Sequence, residues 1–346
     1  MVCMAASAEV RVTDAGDGMA VPAATVFSTR GPVLGLTDST GVFAGADAAD
    51  FPLTVRCLGY EDASVAHDGA DVALHPASYA LGEYTVTPLD RPVMRLVCYV
   101  REYASGSTTT DTMQYFAEHT GDFYMTTTKV KGFKAPGGFR PLKSRMRERI
   151  SDNRGTDSVA TLKEPDLMLS WIGMVQLPQK TMDEPEAMRG GAKADTVQGK
   201  YGVKTVMRRT DEAFSISTDA LADHKGHRFS PMFFKLLGLT MDMTELRQMW
   251  LFGRTDDSRY RAADLLMGTL AIDITGRGKW IKKAFHSNEP VQLHGYYEIY
   301  PLRVEYLTVE EAKAQQGDRA PQEELTVSPR ALPLPEAVAR IMKRGE

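Results

Sequence analysis

At 346 residues, with 43% hydrophobic and 25% charged residues, the chain has an ordinary globular composition and length enough for two domains. Lys and Arg number 41 against 45 Asp and Glu, a formal charge of -4, which gives no electrostatic case for a nucleic-acid partner. No stretch approaches the ~20 apolar residues that a membrane-spanning helix needs, so no transmembrane segment is expected.

The chain opens on a segment ending Ala6-Ser7-Ala8, the small-residue pattern that precedes signal-peptide cleavage. A basic n-region and a full apolar h-region are missing, so the reading is an exported protein whose signal lies upstream of Met1; a disordered tail is the alternative. Short runs of β-formers then alternate with turn residues. Residues 10–13 form the first, closed by Asp14-Ala15-Gly16-Asp17-Gly18, and residues 21–27 the second, with Pro22 near its start. Residues 35–43 read as two short strands about a tight turn at Asp38–Gly41. One carboxylate falls far short of the six to eight oxygens of a calcium site, so that turn is a turn. Residues 53–60, 71–74 and 84–87 complete about seven strands. Val10, Val26, Phe43, Val55 and Tyr60 are the expected core, the Tyr60 hydroxyl reaching a backbone group.

The order Val21-Pro22-Ala23-Ala24-Thr25-Val26, Thr37-Asp38-Ser39-Thr40-Gly41-Val42-Phe43, Leu58-Gly59-Tyr60-Glu61 and Leu81-Gly82-Glu83-Tyr84-Thr85-Val86-Thr87 resembles the carboxypeptidase regulatory-like domain. That transthyretin-like module is common in Bacteroidetes envelope proteins. The resemblance implies an all-β sandwich over residues 9–88 and a place in the periplasm or at the outer membrane, and it leaves the activity open. Cys57 stands where the module carries a hydroxyl or small residue. Cys57 and Cys98 each share a strand face with apolar residues and read as buried free thiols, although a bridge between them stays open on sequence alone.

Two prolines at Pro88 and Pro92 mark a boundary, after which an α+β domain over residues 93–316 is expected, then an extended tail with a short helix over 317–346. Residues 93–103 and 114–129 read as strand, 108–113 as a polar loop, and 178–199 as a loop or disordered excursion. Helices are expected after Ser230-Pro231, from Asp242 through Leu246, Met249 and Trp250 to Gly253, and after Thr308 with Glu311 as a capping box. Strands are expected at residues 268–275 and 293–306.

Candidate chemistry is thin. His286-Ser287-Asn288-Glu289 has the His-x-x-Glu zinc spacing, but only His294 follows it, so no third ligand is in sight. His224-Lys225-Gly226-His227 has a glycine where an aligning helix would need a better former. No nucleophile elbow or phosphate loop occurs, so no catalytic residue, metal or cofactor is assigned. The one conspicuous feature is basic. Lys129, Lys131, Lys134, Arg140, Lys143, Arg145, Arg147, Arg149 and Arg154 oppose only Glu148 and Asp152, a local +7, with Phe133 and Phe139 flanking the Gly-rich turn Ala135-Pro136-Gly137-Gly138 within it. The first eight of these cations are the candidate binding edge, for an anionic envelope component, a glycan or an outer-membrane protein; a solvated face is the alternative. The functional expectation is a non-enzymatic envelope binding or scaffolding protein. Its rival is a periplasmic hydrolase whose carboxylates or histidines converge in the second domain.

Overall fold

The computed structural model describes residues 8–30, 33–77, 91–126, 130–151, 154–166, 168–178, 181–199, 203–210, 213–222, 239–255, 257–285, 288–316 and 322–343. The strand expected at 84–87, the helix after Ser230, the His224/His227 pair, His286 and Lys129 lie outside these residues.

The chain is mostly β, with large antiparallel sheets. Strands β1 (Ala8–Asp14), β2 (Thr25–Phe27), β3 (Val33–Leu36), β4 (Val42–Ala46), β5 (Leu53–Arg56), β6 (Ala63–Val65) and β7 (Asp71–Leu74) make two small sheets, ordered β4-β1-β7 and β3-β2-β5-β6. Strand β1 runs antiparallel to β4 and parallel to β7. Both sheets feed one cluster in which Val10, Val26, Phe43 and Val55 are buried, with Tyr60 packed against its side. The Tyr60 hydroxyl donates to Asp14 Oδ2 at 2.6 Å, so its partner is a side chain rather than the backbone group expected. At the β3–β4 turn, Asp38 Oδ1 accepts Thr40 N at 2.8 Å and Val42 N at 3.0 Å. Gly41 there has φ +75°, and a Cβ would sit 2.4 Å from the Val12 carbonyl oxygen, which excludes other residues on two counts.

Next come β8 (Val93–Ser107), β9 (Thr112–Thr126), β10 (Arg140–Ser151), β11 (Asp157–Leu162), β12 (Met182–Asp183), α1 (Glu186–Arg189), β13 (Ala194–Gln198), β14 (Lys204–Arg209), β15 (Ala213–Asp219) and β16 (Leu239–Gly253). The chain continues through β17 (Arg259–Tyr260), β18 (Leu265–Gly278), α2 (Lys279–Phe285), β19 (Val291–Leu307), α3 (Val309–Gln316) and α4 (Glu336–Lys343). Ten of these strands form one sheet, ordered β11-β10-β9-β8-β19-β18-β16-β15-β14-β13, antiparallel at every pairing. Helix α3 starts as its capping box dictates: Thr308 N donates to Glu311 Oε2 at 2.8 Å and Glu311 N to Thr308 Oγ1 at 3.2 Å.

Two sequence expectations fail here. Residues 239–253 are strand β16, not helix. A bulge between Met243 and Glu245 shifts the parity, so Met241, Met243, Leu246, Trp250 and Phe252 join one core while Met249 and Leu251 join clusters on the other side. The Leu246/Met249/Trp250 spacing was therefore a mixture of two strand faces. Residues 178–199, expected to lack structure, contain β12, α1 and β13, and buried Met188 pins α1 to the main core.

Both faces of the central strands of the ten-stranded sheet are covered, whereas the edge strands β11 and β13 are largely exposed. One face carries Leu96, Cys98, Val100, Ala117, Phe123, Ile272 and Ile299, and Leu169, Val175, Leu177 and Phe285 close over it. Against the other face lie Phe27, Val33 and Leu58 of the N-terminal part and Leu325, Leu332, Leu334, Val338 and Met342 of the C-terminal segment.

Candidate functional site

That second face is polar yet buried. Cross-strand partners share a face, and the register sets Arg101 beside Glu118 on β9 and Glu298 on β19, with Arg145 on β10 opposite Glu118. Fully buried Arg56 reaches across from β5 and donates to Glu298 Oε1 at 2.7 Å, to both Asp62 oxygens at 2.9 and 2.6 Å, and to the Pro333 carbonyl at 2.5 Å. Tyr103 and Tyr300 hydroxyls satisfy Glu298 Oε2 at 3.2 and 3.0 Å. Arg101 donates to the Tyr99 hydroxyl at 3.0 Å and to the Leu332 carbonyl. Further along, Arg95 spans three carboxylates, Asp122, Glu305 and Glu323, at 2.8, 2.9 and 2.9 Å. Charged hydrogen bonds thus fasten the N-terminal strands and the C-terminal segment to the sheet.

The sequence-predicted basic edge divides. Arg140 forks onto Asp122 at 2.8 and 2.7 Å, Arg145 pairs with Glu118, and Arg149 forks onto Asp157 at 2.7 and 3.1 Å. Lys131, Lys134 and Lys143 are exposed. Arg147 is only 8% exposed, its Nε has no hydrogen-bond partner, and no carboxylate pairs with it among the described residues. Of the two aromatics, Phe139 belongs to the core beside Phe123, and half-buried Phe133 packs against the cluster of Tyr124 and Leu307.

Where the N-terminal sheets, the β8–β9 turn, β10, β19 and α4 meet, a cleft of about 900 Å³ opens. Its wall offers the hydroxyls of Thr29, Ser105, Ser107, Thr109 and Thr112, and among the described residues no Phe, Tyr or Trp lines it. Arg30, Arg149 and Arg340 line it, with Asp47 and Asp50 on the N-terminal side. Burial pushes the Asp50 carboxyl up, but bonds from Arg30, the Asp47 N–H and Ser28 outweigh this and hold it below the usual range. Arg340 Nη2 donates to the Thr29 carbonyl at 3.0 Å, and among the described residues it forms no ion pair. Gln114, also in the wall, has a buried Oε1 without a partner.

His294 faces this cleft, its Nδ1 2.8 Å from Asp273 Oδ1. Burial lowers its pKa, but the bond to Asp273 overrides that and holds it above the ordinary imidazole value. Asp273, His294 and Ser105 stand side by side on β18, β19 and β8, the order of a hydrolytic triad. Ser105, however, is buried and donates its hydroxyl hydrogen to the Val33 carbonyl at 3.1 Å, so its proton is engaged away from the imidazole. The sequence considered His294 only as a zinc ligand; the aspartate on the adjacent strand was hidden by the α2 helix between them. No group of three or more His, Cys, Asp or Glu suited to a metal occurs among the described residues, and Glu289 accepts from Thr109 Oγ1 at 2.8 Å. Cys57 and Cys98 are both free and buried; burial pushes the Cys57 thiol up to about 12, which keeps it protonated and inert.

Neither the family models nor the curated proteins contain a match to this chain. Among solved structures, one titled for lipid–protein interactions in lipovitellin is similar over 63% of this chain and 26% of that one, with 10% identity and a TM-score of 0.29. The chain spans about a quarter of that neighbour's length.

Proposed function

We propose that the chain is a non-enzymatic binding protein of the cell envelope. In this reading residues 9–88 form a carboxypeptidase regulatory-like sandwich, residues 93–316 an α+β domain, and residues 317–346 a tail, with a polar ligand held in the cleft at their seam. The carrying observation is the cleft of about 900 Å³, a volume in the usual range for small-ligand sites, lined by hydroxyls, amides and arginines. The commitment of the Ser105 hydroxyl to Val33 favours binding over hydrolysis. The motifs at residues 21–26, 37–43 and 58–61 support the sandwich and, through the resemblance, export and an anionic envelope component, glycan or outer-membrane protein as partner.

Thermal unfolding of the purified chain against a panel of envelope glycans and their acidic constituents tests the reading. A ligand at about 100 times its Kd adds about 2.7 kcal/mol and raises Tm by several degrees. Ser107→Trp, which fills the cleft, is expected to abolish the shift while leaving the circular dichroism spectrum unchanged. A panel with no shift, or a shift that survives Ser107→Trp, overturns the proposal.

A further inference from the structure

The cleft has a charge pattern that narrows its ligand. Arg149 spends Nε and Nη2 on Asp157, and Arg340 spends Nη2 on the Thr29 carbonyl, so each keeps donors free for the cleft. Two residues from Arg149 on β10, hence about 7 Å away on the same strand face, sits Arg147. The residue is 8% exposed, its Nε is buried without a partner, no carboxylate pairs with it among the described residues, and its same-face neighbours along the strand, Arg145 and Arg149, are cations. An uncompensated buried charge is unfavourable in the free protein, and it projects positive potential through low-dielectric surroundings. Of the two carboxylates on the cleft, Asp50 is paired with Arg30, while Asp47 is exposed on the rim, as Arg340 is, which leaves Arg149 and Arg340 against one carboxylate.

The remaining wall chemistry suits a hydroxylated scaffold. Hydroxyls and two glutamine amides, Gln114 and Gln292, supply both donors and acceptors. Among the described residues the wall has no Phe, Tyr or Trp, and its one ring, the His294 imidazole, is polar and bonded to Asp273, so a flat apolar ligand finds little to stack on.

We propose that the cleft recognises an acidic saccharide, its oxyanion held by Arg149 and Arg340 with Arg147 as the buried charge behind them, and its hydroxyls held by the serine, threonine and glutamine wall. This rests on the cleft being the ligand site. Guanidinium forks match carboxylates in two-point geometry, and anion binding relieves the isolation of Arg147.

Calorimetric titration of the full chain with digalacturonate, with the neutral disaccharide galactobiose and with inorganic phosphate decides it. Digalacturonate is expected to bind, with affinity falling at least tenfold between 50 and 500 mM NaCl, and galactobiose at least tenfold more weakly. Arg340→Ala and Arg147→Met are each expected to weaken digalacturonate binding at least tenfold. Arg147→Met should keep or raise Tm, since it removes an unpaired buried charge, which separates a binding role from a structural one. Equal binding of galactobiose overturns anion recognition and leaves the cleft reading standing. Phosphate binding as tightly as digalacturonate overturns the saccharide scaffold. If digalacturonate fails while another panel ligand gives a Ser107→Trp-sensitive shift, this proposal falls alone; if nothing binds, both fall.

Discussion

Arg56 and Glu298 are the most consequential side chains in the seam, because both are fully buried and each is the other's principal counter-charge. Two ions taken out of water are tolerable only while every lone pair and proton has a partner, and here Asp62, Tyr103, Tyr300 and the Pro333 carbonyl complete the set. Arg56→Met should therefore cost about 3–5 kcal/mol in urea unfolding, since it leaves buried Glu298 only the longer Arg101 contact at 3.6 Å as counter-charge. Adding Glu298→Gln to that variant should restore part of the loss; no recovery would mean that the arginine acts by packing alone. Glu148 is the opposite case. Burial, and Asp166 nearby, push its pKa up to about 7 from the usual 4.5. Glu245 is also raised to about 7, by burial and by Asp219 and Asp273 against the opposing pull of Arg247. A raised carboxyl pKa means that between pH 4.5 and 7 the folded chain holds a proton which the unfolded chain has released. Stability consequently falls as pH rises through that window and stays at the lower level above it. Glu148→Gln should gain about 1–2 kcal/mol at pH 8 and nothing at pH 4 in urea titrations, while an equal gain at both pH values would assign the effect to packing instead.

At the scale of elements, the sequence was most legible where a strand shows water or a plain core on one side. The β1 through β5 runs have turn residues at their ends and apolar residues at alternate positions, and Val10, Val26, Phe43 and Val55 are where that alternation puts them. In β8 the same alternation is present but conceals a second buried face. Leu96, Cys98 and Val100 point to one core, and Arg95, Tyr99, Arg101 and Tyr103 are buried on the other side because carboxylates on β9 and β19 lie opposite. Charge in a sequence suggests solvent; only the cross-strand register shows that it is paired. Three cations of the basic run are paired in this way, since Arg140, Arg145 and Arg149 meet Asp122, Glu118 and Asp157, residues as many as 27 positions away. In β16 apolar side chains occupy both faces, and a bulge breaks the period of two, so helical spacing emerged by superposition. The cleft was illegible for a different reason. Thr29, Ser107, Arg149, His294 and Arg340 come from five separate stretches of chain that only long-range docking assembles.

For the molecule as a whole, the C-terminal segment holds the N-terminal sheets and the ten-stranded sheet together. Residues 322–335 run without helix or strand, and each anchor along them goes to the sheet or to β5: Glu323 to Arg95 at 2.9 Å, Thr326 N to Thr120 Oγ1 at 2.9 Å, the Leu332 carbonyl to Arg101, and the Pro333 carbonyl to Arg56. Helix α4 then places Val338, Ile341 and Met342 on one side by i, i+3, i+4 spacing, and Val338 and Met342 pack with Phe27, Tyr103, Phe116 and Tyr296. Burial of Leu334, Val338, Ile341 and Met342 stabilises by ~1.5–3 kcal/mol per side chain as an upper range, so the segment contributes on the order of 5 kcal/mol or more before its polar anchors are counted. Truncation after residue 321 is therefore expected to split a single calorimetric transition into two, because Phe27 and Arg56 lose the layer that joins them to β8 and β19. Val338→Asp, which places a carboxylate in that apolar contact, should lower Tm in the same direction with the polar anchors intact. If the truncated chain still melts in one transition at an unchanged temperature, direct contacts such as Arg56–Glu298 and Phe27–Tyr103 suffice to couple the two parts, and the C-terminal segment is only a wall of the cleft.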